Sequence, residues 1–146
     1  MLDGLPDALP PDWAKLDAGS VTPIGPPGSH DPPRYGYDAM RMPLRFAESC
    51  QPGDRRLAAR AWPLLRGRDP LPAVLGLDGA AQGPQSHPAA LAGAAGAAAA
   101  AGDTDAAGDL LDRAGALDER SPSYYGAAWV ALGRVMLDTD LLGACR

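Results

Sequence analysis

Ser86-His87-Pro88-Ala89-Ala90-Leu91-Ala92-Gly93-Ala94-Ala95-Gly96-Ala97-Ala98-Ala99-Ala100-Ala101-Gly102 carries helix punctuation at both ends, and its reading decides the fold. Ser86 with Pro88 two positions later is an N-terminal signal: a hydroxyl satisfies free N–H groups, and proline fits a first turn. Gly102 is the matching stop. The apolar run Ala89 to Ala101 falls short of the roughly 20 residues that a membrane span needs. It therefore predicts a packed helix whose small side chains permit close approach by its neighbours.

Working outward, Asp103 or Thr104 starts a further helix with Leu110, Leu111, Ala114 and Leu117 on its apolar side, so the two helices make a hairpin. Ser121-Pro122 repeats the cap-plus-proline signal and opens a last helix from about Ser123 to Leu137, with Trp129, Val130, Leu132, Val135 and Met136 supplying bulk. On the N-terminal side of a Pro/Gly-rich connection from Gly67 to Gly83, Asp54 caps a helix that aligns Leu57, Ala61, Leu64 and Leu65. Pro43 marks an earlier helix that ends before Gln51-Pro52-Gly53. About five substantial helices make the chain all-α, and alternating short and long connections suit an α/α toroid, an α-solenoid or a plain bundle.

Residues 1–34 read differently. Eight of the sixteen prolines precede Tyr35, which disfavours helix and central strand alike. A loop segment is predicted there, with a short helix around Asp12 to Leu16 and with Trp13, Leu16, Val21 and Ile24 pinning it onto the body formed by residues 35–146.

At 146 residues the chain is of single-domain size. Its net charge of −5 offers no electrostatic footprint for nucleic acid. Lys15 is the single lysine, and Glu48 and Glu119 are the two glutamates, a bias that reads as coding composition. Cys50 and Cys145 are too far apart in sequence for a zinc or C-x-x-C motif and read as buried thiols. His30 and His87 read as exposed loop histidines, and no ligand cluster for a metal is visible. Met1 to Asp7 shows neither the basic nor the apolar region of a signal peptide.

The chemistry is concentrated in Tyr35-Gly36-Tyr37-Asp38-Ala39-Met40-Arg41-Met42-Pro43, which places a carboxylate, an arginine and two phenols at the mouth of a helix. Read as structure alone, Asp38 is an N-cap, Arg41 its i+3 partner, and the tyrosines are packing residues. Read as chemistry, Asp38 is an ionised carboxylate able to activate water, Arg41 supplies the neighbouring positive charge, and Tyr35 and Tyr37 offer faces for sugar rings.

The run resembles the base-bearing segment of glycoside hydrolase family 8, where an aromatic-Asp-Ala-x-Arg-x-Pro stretch leads from a loop into a helix. The match lies at Tyr37, Asp38, Ala39, Arg41 and Pro43. Leu9-Pro10-Pro11-Asp12-Trp13 resembles a Pro-Asp-Trp element upstream of the base, and Ser123-Tyr124-Tyr125 resembles an aromatic pair that opens a late helix. The resemblance implies the C-terminal portion of an (α/α)6 barrel, that is, a partial toroid of antiparallel hairpins. It implies Asp38 as general base, Arg41 as the residue that orients it, and Tyr37, Tyr124 and Tyr125 as substrate contacts. The implied reaction is inverting, endoglucanase-like hydrolysis of β-1,4-linked polysaccharide such as cellulose, without a cofactor and outside the cytoplasm.

Inverting hydrolysis needs two carboxyl groups about 6.5–9.5 Å apart. Neither Glu48 nor Glu119 sits in a context resembling the family's acid, so the chain alone is expected to be inactive or nearly so; a split or truncated gene or a misplaced start codon puts the acid in an N-terminal half encoded upstream, and a degenerate binding remnant is the third explanation. The competing reading is a non-catalytic helical-repeat module that binds another polypeptide, since Ala89 to Leu137 holds consecutive amphipathic helices. Against it, no self-similarity appears at a period of about 34 residues.

Overall fold

The computed structural model describes residues 8–49 and 51–142. The start from Met1 to Asp7 and the two cysteines, Cys50 and Cys145, lie outside the described residues. The described residues are mostly helical with one small two-stranded sheet: β1 Trp13–Asp17, β2 Ser20–Ile24, α1 Arg41–Glu48, α2 Pro52–Ala59, α3 Trp62–Leu65, α4 Pro88–Ala100, α5 Thr104–Arg120 and α6 Tyr124–Asp138. Five of these helices run to eight residues or more, and α3 is a single turn.

Helix α4 is the axis of the molecule. It is apolar all round, and Pro88 through Ala98 are buried without a break, as expected for a helix enclosed by others. Helices α1, α2, α3, α5 and α6 all pack on it. Alanine and glycine make this possible, because large side chains would hold the neighbouring backbones off. A Cβ added at Gly93 would lie 2.0 Å from the Met40 carbonyl oxygen, and one at Gly96 would lie 2.4 Å from the Leu44 Cα. The start of α1 therefore lies directly on the glycine face of α4. Leu44 and Leu111 fill the space beside this crossing, both fully buried. Among the described residues, no helix is long and apolar enough to cross a membrane.

The caps account for the helix ends. Asp103 opens α5, its Oδ1 accepting from the Ala106 N–H, and Gly102 ends the preceding turn at φ 85°, a left-handed conformation that glycine adopts without strain. The cap of α6 is Ser123, whose Oγ accepts from Gly126, rather than Ser121. Likewise the cap of α4 is His87, whose Nδ1 accepts from the Ala89 N–H, rather than Ser86. Met40 stands at the N-cap position of α1, so Asp38 precedes the helix without capping it. The helix expected to start at Asp54 starts instead after Gln51, with Asp54 in its first turn receiving the Ser49 hydroxyl at 2.6 Å. It breaks at Ala59 because Pro63 lacks an N–H and its ring crowds the carbonyl four residues back.

The N-terminal segment departs from the loop and short helix expected of it. Trp13 to Ile24 form an antiparallel hairpin, so Trp13 to Leu16 run extended where a short helix was expected, and Asp12 sits in the bend before them. The two-residue connection Ala18-Gly19 has φ 44° and φ 86°. Two successive positive φ values give the turn whose twist matches paired strands. The hairpin stands out from the body, with Trp13, Leu16 and Ile24 at 44%, 62% and 37% exposure, so the expected pinning of this segment by those three side chains is not what is seen. What anchors the segment lies before the strands: Leu9 is fully buried, and its N–H reaches the Leu77 carbonyl at 2.8 Å.

Candidate functional site

Tyr35 to Met40 form a turn between a short backbone ladder and α1. Tyr35 exchanges both backbone hydrogen bonds with Leu75, at 2.8 and 2.9 Å, and the Met40 N–H returns to the Gly36 carbonyl at 2.9 Å. The turn is held on a third side by Asp12. One carboxylate oxygen of Asp12 accepts from the N–H groups of Gly36, Asp38 and Ala39 at 3.0, 3.1 and 2.8 Å. The Asp12 side chain is only 7% exposed and has the Arg34 guanidinium 3.6 Å from its other oxygen. A Cβ at Gly36 would lie 2.5 Å from that second oxygen, so a larger residue there would have to displace the Asp12 carboxylate.

Asp38 leaves this turn toward solvent. Its Oδ1 meets Arg41 Nη2 at 2.5 Å, and Arg41 Nε donates to the Asp38 carbonyl at 3.2 Å, so one guanidinium grips both the side chain and the backbone of the aspartate. Both side chains stay substantially exposed. Beside them is an open depression of about 260 Å³ lined by Asp38, Arg41, Met42, Arg45, Phe46 and Trp129. The Arg45 guanidinium lies 5.8 Å from the Trp129 ring centre, within cation–π range.

Next to Asp38 stands a row of rings. Tyr37 and His87 meet edge-to-face at 5.2 Å, as do Tyr125 and Trp129 at 6.3 Å, while His87 and Tyr125 lie tilted to one another at 5.7 Å. Tyr125 Oη donates to the Tyr37 carbonyl at 2.7 Å, which ties α6 to the Asp38 turn across 88 residues of sequence. Burial is the main cause raising the Tyr125 phenol pKa; Arg41 pulls it down, and Asp38 pushes it up. That both charges act on this phenol places Tyr125 in the same field as the Asp38–Arg41 pair. Burial lowers the His87 pKa, opposed by the Asp118 carboxylate.

The residues singled out from the sequence therefore separate. Tyr37, Asp38, Arg41 and Tyr125 share one surface. Tyr35 does not reach it: at 2% exposure it is a core residue, which corrects its expected place against a sugar ring. Burial, with Asp12 adding to it, drives the Tyr35 phenol well above the ordinary range, and its hydroxyl finds no hydrogen-bond partner among the described residues. Tyr124 projects into solvent at 93% exposure from the first position of α6. His30 is exposed as expected, but His87 is half-buried between two phenols, correcting its reading as a loop histidine.

Sequence reasoning assigned no role to Asp12 or His87. The Pro-Asp-Trp wording pointed to Asp12 without saying what it touches, and the Ser-His-Pro cap signal lay one residue from His87. Among the described residues, no three His, Cys, Asp or Glu side chains stand together as a metal site would require. A wider hollow of about 590 Å³ between α3 and α5 contains Arg66, Arg68, Asp69, Asp103, Asp109 and Arg113. Arg113 there is matched to Asp69 at 2.9 Å, and Arg68 donates to the Leu64 carbonyl, so two of its three arginines serve the fold.

No protein-family model matches this chain, and no curated protein or solved structure matches it.

Proposed function

We propose that the chain is the base-bearing part of an inverting glycoside hydrolase acting on β-1,4-linked polysaccharide, endoglucanase-like, built as a partial (α/α)6 toroid of helical hairpins. One observation carries this reading: a solvent-facing carboxylate gripped by arginine lies on the same surface as the aromatic row Tyr37, His87 and Tyr125. Sugar rings present apolar C–H faces and polar edges, which suits rings with polar tips beside a charged pair. Asp38, held by Arg41, takes the proton of the attacking water, while Tyr37 and Tyr125 hold the sugar. Tyr35 has no part in that contact.

The acid comes from another segment in this proposal. Glu48 is the last residue of α1, about 10 Å of helix axis beyond Arg41, and so lies at the far end of the helix from Asp38. The second reading, a polypeptide-binding helical repeat, is favoured less, because α4 is wrapped by five helices where a solenoid stacks its helices in a row.

Turnover tests the proposal. The chain, joined to the acid-bearing segment read from the DNA upstream, is assayed on soluble β-1,4-glucan as wild type and as Asp38→Ala. A loss of roughly 100-fold or more is expected, the scale of a general acid–base contribution. Unchanged turnover removes Asp38 as base, and absence of an upstream coding segment with a glutamate and a further aspartate removes the split arrangement.

A further inference from the structure

We infer that Asp12 is the positioning residue for Asp38, an assignment that rests on the proposed role of Asp38 and adds a second carboxylate whose task is geometric. A carboxylate that accepts three N–H groups of one turn on a single oxygen fixes the three peptide planes relative to one another. Here the donors are the amides of Asp38 itself, of Ala39 directly after it and of Gly36 two residues before it, so that both peptide groups of Asp38 are held. The direction in which Asp38 leaves the backbone is thereby set by a charged group 26 residues away.

Three features make this more than a loop-stabilising contact. First, the carboxylate is 7% exposed, and bonds from N–H groups to a charged acceptor are stronger than neutral ones, more so where water is excluded. Second, the sequence keeps room for it: Gly36 is the position where any Cβ would strike the Asp12 carboxylate. Third, the turn is also packed against α4, whose Gly93 admits the Met40 carbonyl, and is tied to α6 by the Tyr125 hydroxyl. Asp12 therefore completes a clamp on the backbone of the turn, from which the Asp38 side chain projects toward Arg41 and solvent. Arg41 then meets Asp38 Oδ1 without reorganising the backbone. Asp12 itself faces inward and does not touch the substrate; it acts through Asp38.

The test uses the full chain and nuclear magnetic resonance, comparing wild type with Asp12→Asn, Asp12→Ala, Gly36→Ala and Asp38→Asn. Asp12→Asn keeps an oxygen at the acceptor position, Asp12→Ala removes it, and Gly36→Ala displaces the intact carboxylate. In Asp12→Ala and Gly36→Ala, amide exchange at Asp38 and Ala39 is expected to speed by about tenfold or more, as loss of a charge-assisted hydrogen bond implies. Protection in α4 and α5 stays at the wild-type level. The Arg41 guanidinium resonances are expected to move to their positions in Asp38→Asn, reporting that Asp38 has left Arg41, whereas Asp12→Asn retains the wild-type positions.

The assignment is overturned if Arg41 resonances and turn protection persist in Asp12→Ala and Gly36→Ala. It is equally overturned if α4, α5 and the turn lose protection together in Asp12→Asn, which makes Asp12 a folding residue. Failure of the hydrolase reading shows itself separately: the turn responds as described, but cellohexaose shifts no resonance of Tyr37, Asp38 or Tyr125.

Discussion

At the scale of single residues, the site consists of side chains whose roles are set by exposure more than by identity. Tyr35 and Tyr37 are two positions apart in sequence, yet one is 2% and the other 44% exposed. The Tyr35 hydroxyl has no partner among the described residues, so it is a buried polar group without compensation. Tyr35→Phe is predicted to leave stability unchanged or to raise it by up to about 3 kcal/mol in urea unfolding, since an unsatisfied buried polar group costs about 1–3 kcal/mol. A loss of stability beyond about 1 kcal/mol would show that the hydroxyl is bonded. The Asp38–Arg41 pair was legible because i and i+3 positions meet wherever a helix starts. Asp12 was not, because its three contacts span 24 to 27 residues and no local pattern encodes them.

At the scale of elements, two kinds of helical glycine make opposite predictions. Gly93 and Gly96 of α4 face the backbone of Met40 and Leu44 at distances no Cβ tolerates, whereas Gly108 and Gly115 of α5 have nothing within 4 Å of an added Cβ. Alanine at Gly93 or Gly96 is expected to destabilise by about 2–3 kcal/mol through overpacking against backbone. Alanine at Gly108 or Gly115 is expected to stabilise by about 0.5–1 kcal/mol through helix propensity. Thermal or urea unfolding of the four variants checks both signs, and equal behaviour of the two pairs would contradict the α1–α4 crossing.

The cap of α4 carries a pH prediction. Burial puts the folded pKa of His87 below its unfolded value near 6.5, and protonating Nδ1 also removes the acceptor for Ala89 N–H. Stability from neutral His87 is therefore fully present above the unfolded value and is lost as pH falls through the lower folded one. His87→Asn, which retains a capping oxygen, is expected to lose that component. The wild-type minus variant difference in urea midpoint should thus shrink on acidification from about pH 7.5 to about pH 5.5, a window that brackets the unfolded value. A difference that grows in acid would reverse the assignment. Helices α4, α5 and α6 were legible from their punctuation, although the capping residue lay one or two positions from the expected serine in two of them. The hairpin was not legible: prolines masked its alternation, and its turn depends on Ala18 adopting φ 44°, which alanine rarely does.

At the scale of the whole molecule, the sequence specified helices without specifying which one lies at the centre. The apolar character of Ala89 to Ala101 marked a packed helix, and only the assembled fold shows it enclosed by five others, with its glycines receiving the segment that bears Asp38. That enclosure joins site to scaffold: α4 presents His87 at its N-terminus, α6 presents Tyr125 and Trp129, and the turn before α1 presents Tyr37 and Asp38. Their convergence was implied for Tyr37, Asp38 and Tyr125 by resemblance and for His87 by nothing in the sequence.

The central claim is that this convergence forms one saccharide-binding surface with Asp38 at its edge, and amide and side-chain resonance shifts on titrating the full chain with cellohexaose test it most directly. The account predicts shifts concentrated at Tyr37, Asp38, His87 and Tyr125, abolished in a Tyr125→Ala variant and preserved in Tyr35→Phe. Shifts absent at saturating sugar, or gathered instead around Arg66 and Arg113, would contradict it.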